Sequence, residues 1–155
     1  MSADQALMAR AFRLAEAALA RGERPVAALL VFEGAVVAEA GDAVFARSDP
    51  SAHAERVVIS DHCAATGQLH LRGHEIYCTI EPCLMCCGAI HWAKLDRVVY
   101  GLSQERLQTL SGGTHKPGVR GYLPVGGRPV EVVGPVLEDE AFALAARYAW
   151  RRRAL

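Results

Sequence analysis

The chain predicts an α/β fold, one domain over residues 1–155 in which helices are layered on a mixed sheet. Two observations predict it. Short apolar runs alternate with longer segments whose apolar residues recur at helical spacing, in the order α-β-β-α-β-α-β-loop-β-α. One of those runs, residues 26–32, is apolar almost throughout, the pattern of a strand buried on both faces.

Residues 3–21 place Leu7, Phe12, Leu14 and Leu19 in an alanine-rich helix that Gly22 and Pro25 stop. After the buried strand, Glu33-Gly34 is a turn signal and residues 35–40 resume as a strand, so the pair reads as a hairpin. Residues 41–51 read as a loop. Asp49 or Ser51 helps start a helix that carries His53 and Glu55 in its first turn and ends at Gly67. Residues 75–80 are β-branched and aromatic, hence a strand. Pro82 opens a third helix that continues through Ala93. A short strand over 97–100 is bounded by Gly101. Residues 103–127, with Gly112-Gly113, Pro117-Gly118 and Gly126-Gly127, are expected to be irregular, as a surface loop, a lid or a partner contact. A strand over 130–133 and a helix over 138–152, acidic at its start and basic at its end, complete the chain.

Seventeen basic and seventeen acidic residues give zero formal net charge, which argues against broad electrostatic binding of nucleic acid. It also permits self-association. No apolar stretch approaches membrane-span length, and the first helix lacks the tripartite pattern of a signal peptide. A cytoplasmic protein is expected. Five cysteines without secretory context read as metal-binding or catalytic groups before disulfides.

Two short motifs carry the chemistry: His53-Ala54-Glu55 and Pro82-Cys83-Leu84-Met85-Cys86. An imidazole and two thiols three residues apart make three ligands suited to zinc, and three ligands leave a fourth position for water, as in catalytic sites. Thiols at a helix start are biased toward thiolate. Zinc lowers the pKa of bound water from about 15.7 toward ~7. Glu55, two residues past His53, projects in another direction and is placed to act as a proton shuttle, a role that typically contributes ~100- to 10,000-fold. The natural reaction is hydrolytic attack on a ring amidine carbon with loss of ammonia. Backbone around Ala54 and Cys83 is expected to bond the substrate.

These motifs are the H-x-E and P-C-x-x-C signature of zinc deaminases. With residues 25–31, 49–55, 81–86 and 88–94, the chain resembles the cytidine deaminase superfamily, in the branch of guanine deaminase, yeast-type cytosine deaminase and tRNA adenosine deaminase. The stretch Ala89-Ile90-His91-Trp92-Ala93-Lys94 is most similar to bacterial guanine deaminase. The resemblance implies a three-layer α/β/α sandwich with a central mixed five-stranded sheet and a homodimer. It also implies Zn2+ on His53, Cys83 and Cys86, with Glu55 as the proton shuttle. It points to a small heterocycle as substrate, guanine-like or cytosine-like. There are two departures. The branch usually has asparagine eleven residues before the zinc histidine, and this chain has Asp42, an acceptor-only group when ionised. Asp42 is therefore expected to read a substrate with paired donors or a hydroxyl. The tRNA enzymes usually carry a Lys-Thr-Gly-Ala-like stretch after the position of Gly101, and this chain reads Gln104-Glu105-Arg106-Leu107-Gln108.

Simpler roles stand beside these. Phe45 stacks on a base or is a loop residue. Trp92 contacts substrate or serves as a core or interface aromatic; Trp150 serves in a core, or covers a partner's pocket. Cys87 competes with the patterned ligands or packs with Cys63 and Cys78. Glu81 caps. His115 is a candidate lid contact, and residues 151–153 are a helix end or a basic tail for tRNA. His62, His70, His74 and His91 are solvated or packed. tRNA adenosine deamination and a non-catalytic zinc-stabilised binding module are the alternatives, and Glu55 discriminates against the second, since a closed structural site has no use for a spare carboxylate.

Overall fold

The computed structural model describes residues 1–113 and 117–151. Helix α1 (Ala3–Ala20) begins with a reciprocal cap between Ser2 and Gln5, and the chain leaves it at Gly22. Strands β1 (Ala27–Phe32) and β2 (Ala35–Gly41) form the expected antiparallel hairpin, with Ala27 opposite Gly41. The expected loop at 41–51 holds one short helix, α2 (Val44–Arg47). Helix α3 (Ala54–Thr66) is stopped by Gly67 at a positive φ of 73°. Strand β3 (His74–Ile80) leads to α4 (Leu84–Ala93), β4 (Arg97–Leu102), α5 (Gln104–Ser111), α6 (Val119–Tyr122), β5 (Glu131–Val133) and α7 (Glu138–Ala145).

The five strands run in the order β2-β1-β3-β4-β5, antiparallel from β2 to β3 and parallel from β3 to β5. This is the mixed sheet the sequence predicts. Its side chains alternate between two helical layers. Leu29, Val31, Tyr77 and Val99 pack with Met8 and Ala11 of α1. Ala28, Leu30, Ile76, Cys78 and Val98 pack with Val58 of α3 and Ile90 of α4. β1 is buried on both faces from Ala27 to Val31, as its apolar run requires. Each fully buried Leu or Ile contributes roughly 1.5–3 kcal/mol, so two such layers account for most of the driving force.

Two expectations change. Residues 103–113 and 117–127 are more regular than their glycines suggest: Ser103 accepts from the Arg106 amide and starts α5, a mostly polar helix that rests Leu107 and Leu110 on the core. The final helix ends at Ala145, not 152. The Trp150 indole N–H donates to the Ala145 carbonyl at 2.8 Å, taking the group that a further turn would have used. Arg152 and Arg153 lie outside the described residues, as does His115. Among the described residues no helix is long and apolar enough to cross a membrane.

Candidate active site

Topology brings the chemistry to one end of the sheet. β1 is antiparallel to β3 with Ala28 opposite Cys78, so the chain entering β1 lies beside the chain leaving β3. The same end receives the exit of β2 and the starts of α3 and α4. Carboxyl ends of parallel strands are where α/β sheets place their sites, and β3 and β4 follow that rule. His53 is the cap residue of α3 and Cys83 that of α4, both in extended backbone. Cys86 lies one turn into α4. Pro82 lies immediately before the cap, next to the first turn.

His53 Nδ1 lies 3.6 Å from Cys83 Sγ and 3.7 Å from Cys86 Sγ. The three donor atoms all fall within 4.8 Å of one another. Tetrahedral bonds of ordinary zinc length would set nitrogen and sulfur about 3.6 Å apart, so the donor set fits a zinc ion. Cys87, the rival ligand, turns away: its thiol points to the Pro82 carbonyl at 3.7 Å, and it is buried in the core with Cys78. Cys63 is half-buried.

Electrostatics follow the geometry. A hydrogen bond from Cys86, with a second from His53, holds the Cys83 thiol down at about 3, against the opposing effect of burial. The same contact with Cys83, then burial, pushes Cys86 up. The Cys83 contact raises His53. Glu55 is buried, and its Oε2 accepts from the Cys86 thiol at 3.6 Å, a weak donor. Burial, and then the negative charge at Cys83, raises its carboxyl to about 7. Metal ligands and the free carboxylate are thus within one cluster.

Ala54, fully buried, is the first residue of α3, whose first intrahelical bond runs from the Val57 amide to the His53 carbonyl. Its N–H belongs to the set that a helix start leaves available. Phe45 sits on α2 with its ring 42% exposed. Trp92 stands near the C-terminal end of α4, about 13 Å along the helix axis from Cys83 and about 9 Å from Cys86, and is 74% exposed. Within one chain it is neither a core residue nor a neighbour of the metal ligands; its ring meets His91 and Lys94. Trp150 packs edge-on against Tyr148 of its own chain.

Asp42 is buried with a fully enclosed side chain, and both its oxygens accept from one guanidinium: Arg24 Nη2 at 2.6 Å and Nε at 3.1 Å. Arg24 was not singled out from the sequence, and neither was its neighbour Glu23. The Glu23 carboxylate accepts from the amides of Phe45 and Ala46 and caps α2. The signal was present: with Glu33-Gly34 as the turn, the hairpin places residues 23–24 opposite the start of the 42–51 segment. Glu81 is also a cap, as expected, and a larger one. Its oxygens accept from the Gln104 amide at 2.8 Å and the Val119 amide at 2.6 Å, tying α5 and α6 to the entry of α4. A Cβ at Gly118 would collide with that carboxylate.

Residues 1–102 match the family described as the cytidine and deoxycytidylate deaminase zinc-binding region. The tRNA-specific adenosine deaminase of Agrobacterium fabrum is 34% identical, over 86% of this chain and 85% of that one. A protein of Schizosaccharomyces pombe named "Probable cytosine deaminase" is 33% identical, over 89% and 87%. The structure of guanine deaminase from Nitrosomonas europaea superposes with a TM-score of 0.80 at 26% identity, covering 92% of this chain and 82% of that one. A tRNA-acting relative this similar removes the support for excluding nucleic acid as a partner. A common fold, three donors at zinc spacing and two thirds of the length under one family description have a single reading: the chain belongs to the cytidine and deoxycytidylate deaminase family of zinc-dependent hydrolytic deaminases.

Proposed function

We propose that this deaminase acts on a free amino-substituted ring, a base or nucleoside of guanine-like or cytosine-like type, and releases ammonia. The observation that carries the deaminase chemistry is the buried Glu55 carboxylate beside a set of three donor residues among those described. His53, Cys83 and Cys86 hold the metal, and zinc when bound supplies the Lewis acidity that makes water nucleophilic at neutral pH. Glu55 takes a proton from the attacking water and delivers it to the ring nitrogen, then carries the remaining proton of the newly added hydroxyl to the amine, which leaves as ammonia while the hydroxyl becomes the oxo group. The Ala54 amide orients the ring, and Phe45 covers its face. Zero net charge supports a small substrate over a polyanion.

A second reading, deamination of adenosine in tRNA, is supported by the Agrobacterium relative. Exposed Leu84 and Trp92 on α4 support a homodimer through that helix. A cytoplasmic setting suits substrates of either kind. Ammonia release by the zinc-loaded chain from a panel of amino-purines, amino-pyrimidines, pterins and triazines tests the first reading, and inosine formation in a tRNA transcript tests the second. Turnover of a free ring with no inosine supports the first; inosine with an inert panel replaces it by the second.

A further inference from the structure

Arg24 and Asp42 form an ion pair at the same end of the sheet as the metal-ligand candidates. Continuing the β1–β3 register beyond the ladder sets Arg24 opposite Pro82, one residue from a metal ligand. Continuing the β1–β2 register sets Asp42 opposite Val26, and the Asp42 amide does donate to the Val26 carbonyl at 2.8 Å. Asp42 has no exposed side-chain surface, whereas Arg24 keeps 16%. The fork to Asp42 uses Nε and Nη2, so Nη1 is the remaining nitrogen of a group that only donates.

Resting on the reading of the chain as a deaminase of free rings, the geometry points to Arg24 as a specificity-determining residue. Its guanidinium, fixed by Asp42, selects amino-heterocycles that turn an acceptor-only edge toward it, an oxo group or an ionised ring nitrogen. An asparagine at position 42 would offer the ring a donor and an acceptor together. Here the carboxylate is fully enclosed and bridged to Arg24, so the group with surface left for the ring is a guanidinium that only donates. A ring edge bearing N–H would face N–H, and neither donor would gain a partner from the other. Because Asp42 balances the charge of Arg24, a neutral oxo group satisfies the site and no phosphate is required.

The test uses the zinc-loaded full chain and two pairs of rings that differ by one oxo group: 4-aminopyrimidine against cytosine, and adenine against 6-amino-2-oxopurine. Titration calorimetry reads affinity, and ammonia release reads kcat/KM. The oxo member of at least one pair is expected to bind at least about tenfold tighter. The double variant R24L/D42N removes both charges together, and with zinc content intact it should bring that preference to within about threefold of unity. Should the double variant not fold, Arg24→Lys keeps the cation and loses the fork, and it is expected to weaken the oxo member alone by about tenfold. Equal affinity within both pairs, binding of no ring, a preference the double variant retains, or equal loss of both members in Arg24→Lys overturns the inference. An Arg24-dependent preference in binding without ammonia from any ring sinks the deaminase reading instead. Turnover indifferent to the oxo group sinks the role of Arg24 and leaves that reading standing.

Discussion

Glu55 and Glu81 are both buried carboxylates beside the start of α4, and the fold treats them in opposite ways. Glu81 receives two short bonds from fixed backbone amides, at 2.6 and 2.8 Å, from segments 23 and 38 residues away in sequence. Glu55 receives a thiol at 3.6 Å. A carboxylate held by amides that cannot move is a fastener: its protonation would strand them. A carboxylate whose donors are a weak thiol and the amide of its own residue loses less when it changes protonation state, which is what a proton carrier needs. Burial alone therefore does not separate a structural acid from a reactive one; the quality of its hydrogen bonds does.

Substitutions break or sharpen that contrast, and the largest effect is expected at a third buried carboxylate. Arg24→Leu alone leaves Asp42 enclosed without its cation, a loss of about 3–5 kcal/mol that D42N in the same chain should largely recover. Equal melting temperatures of the single and double variants would contradict the pairing. Glu81→Gln turns amide hydrogens toward the Gln104 or Val119 N–H, and is expected to cost about 2–4 kcal/mol, roughly 5–15 °C in a chain of this size. Calorimetry that finds Glu81→Gln as stable as the parent would remove the fastener role. Glu55→Gln is expected to leave the melting temperature of the metal-free protein unchanged or raised, within about 1 kcal/mol, because it deletes a poorly compensated buried acid.

The smallest effect lies at the far end of the sheet, where Arg97 meets Asp4, Glu75 and Glu131. Its hydrogen bond holds the Asp4 carboxyl below the usual carboxylate range. The stabilisation is therefore present above that range and is lost as pH falls through the lowered value. Asp4→Asn is expected to cost less than about 1 kcal/mol, since the pair is partly solvated, with the gap to the parent present above about pH 4 and closing below it. A gap that widens in acid would contradict the assignment. At position 42, Asp42→Asn assayed on the ring panel tests whether that residue shapes preference at all; an unaltered order of substrates removes the idea.

Legibility in the sequence followed locality. His53, Cys83 and Cys86 were readable because the metal demands particular donors at short spacings, and α1, the hairpin and β3 because burial writes a local period into the chain. Helix α5 was not readable, because most of its residues are polar: Leu107 and Leu110 alone of its side chains rest on the main core cluster, and Ser103 and Glu81 hold its start. The end of α7 was hidden in the same way, decided by the Trp150 indole. Arg24 escaped notice because its meaning lies eighteen residues away in Asp42, and Trp92 invited a core role that its position on α4 denies. Motifs name the reactive atoms; the groups that tune them come from the register of the sheet.

Metal content and ammonia release measured together on Glu55→Ala test the account most directly. The variant is expected to keep one zinc per chain on His53, Cys83 and Cys86 while turnover of the parent's preferred ring falls by about 100- to 10,000-fold. Zinc retained with turnover within a few-fold of the parent would contradict it.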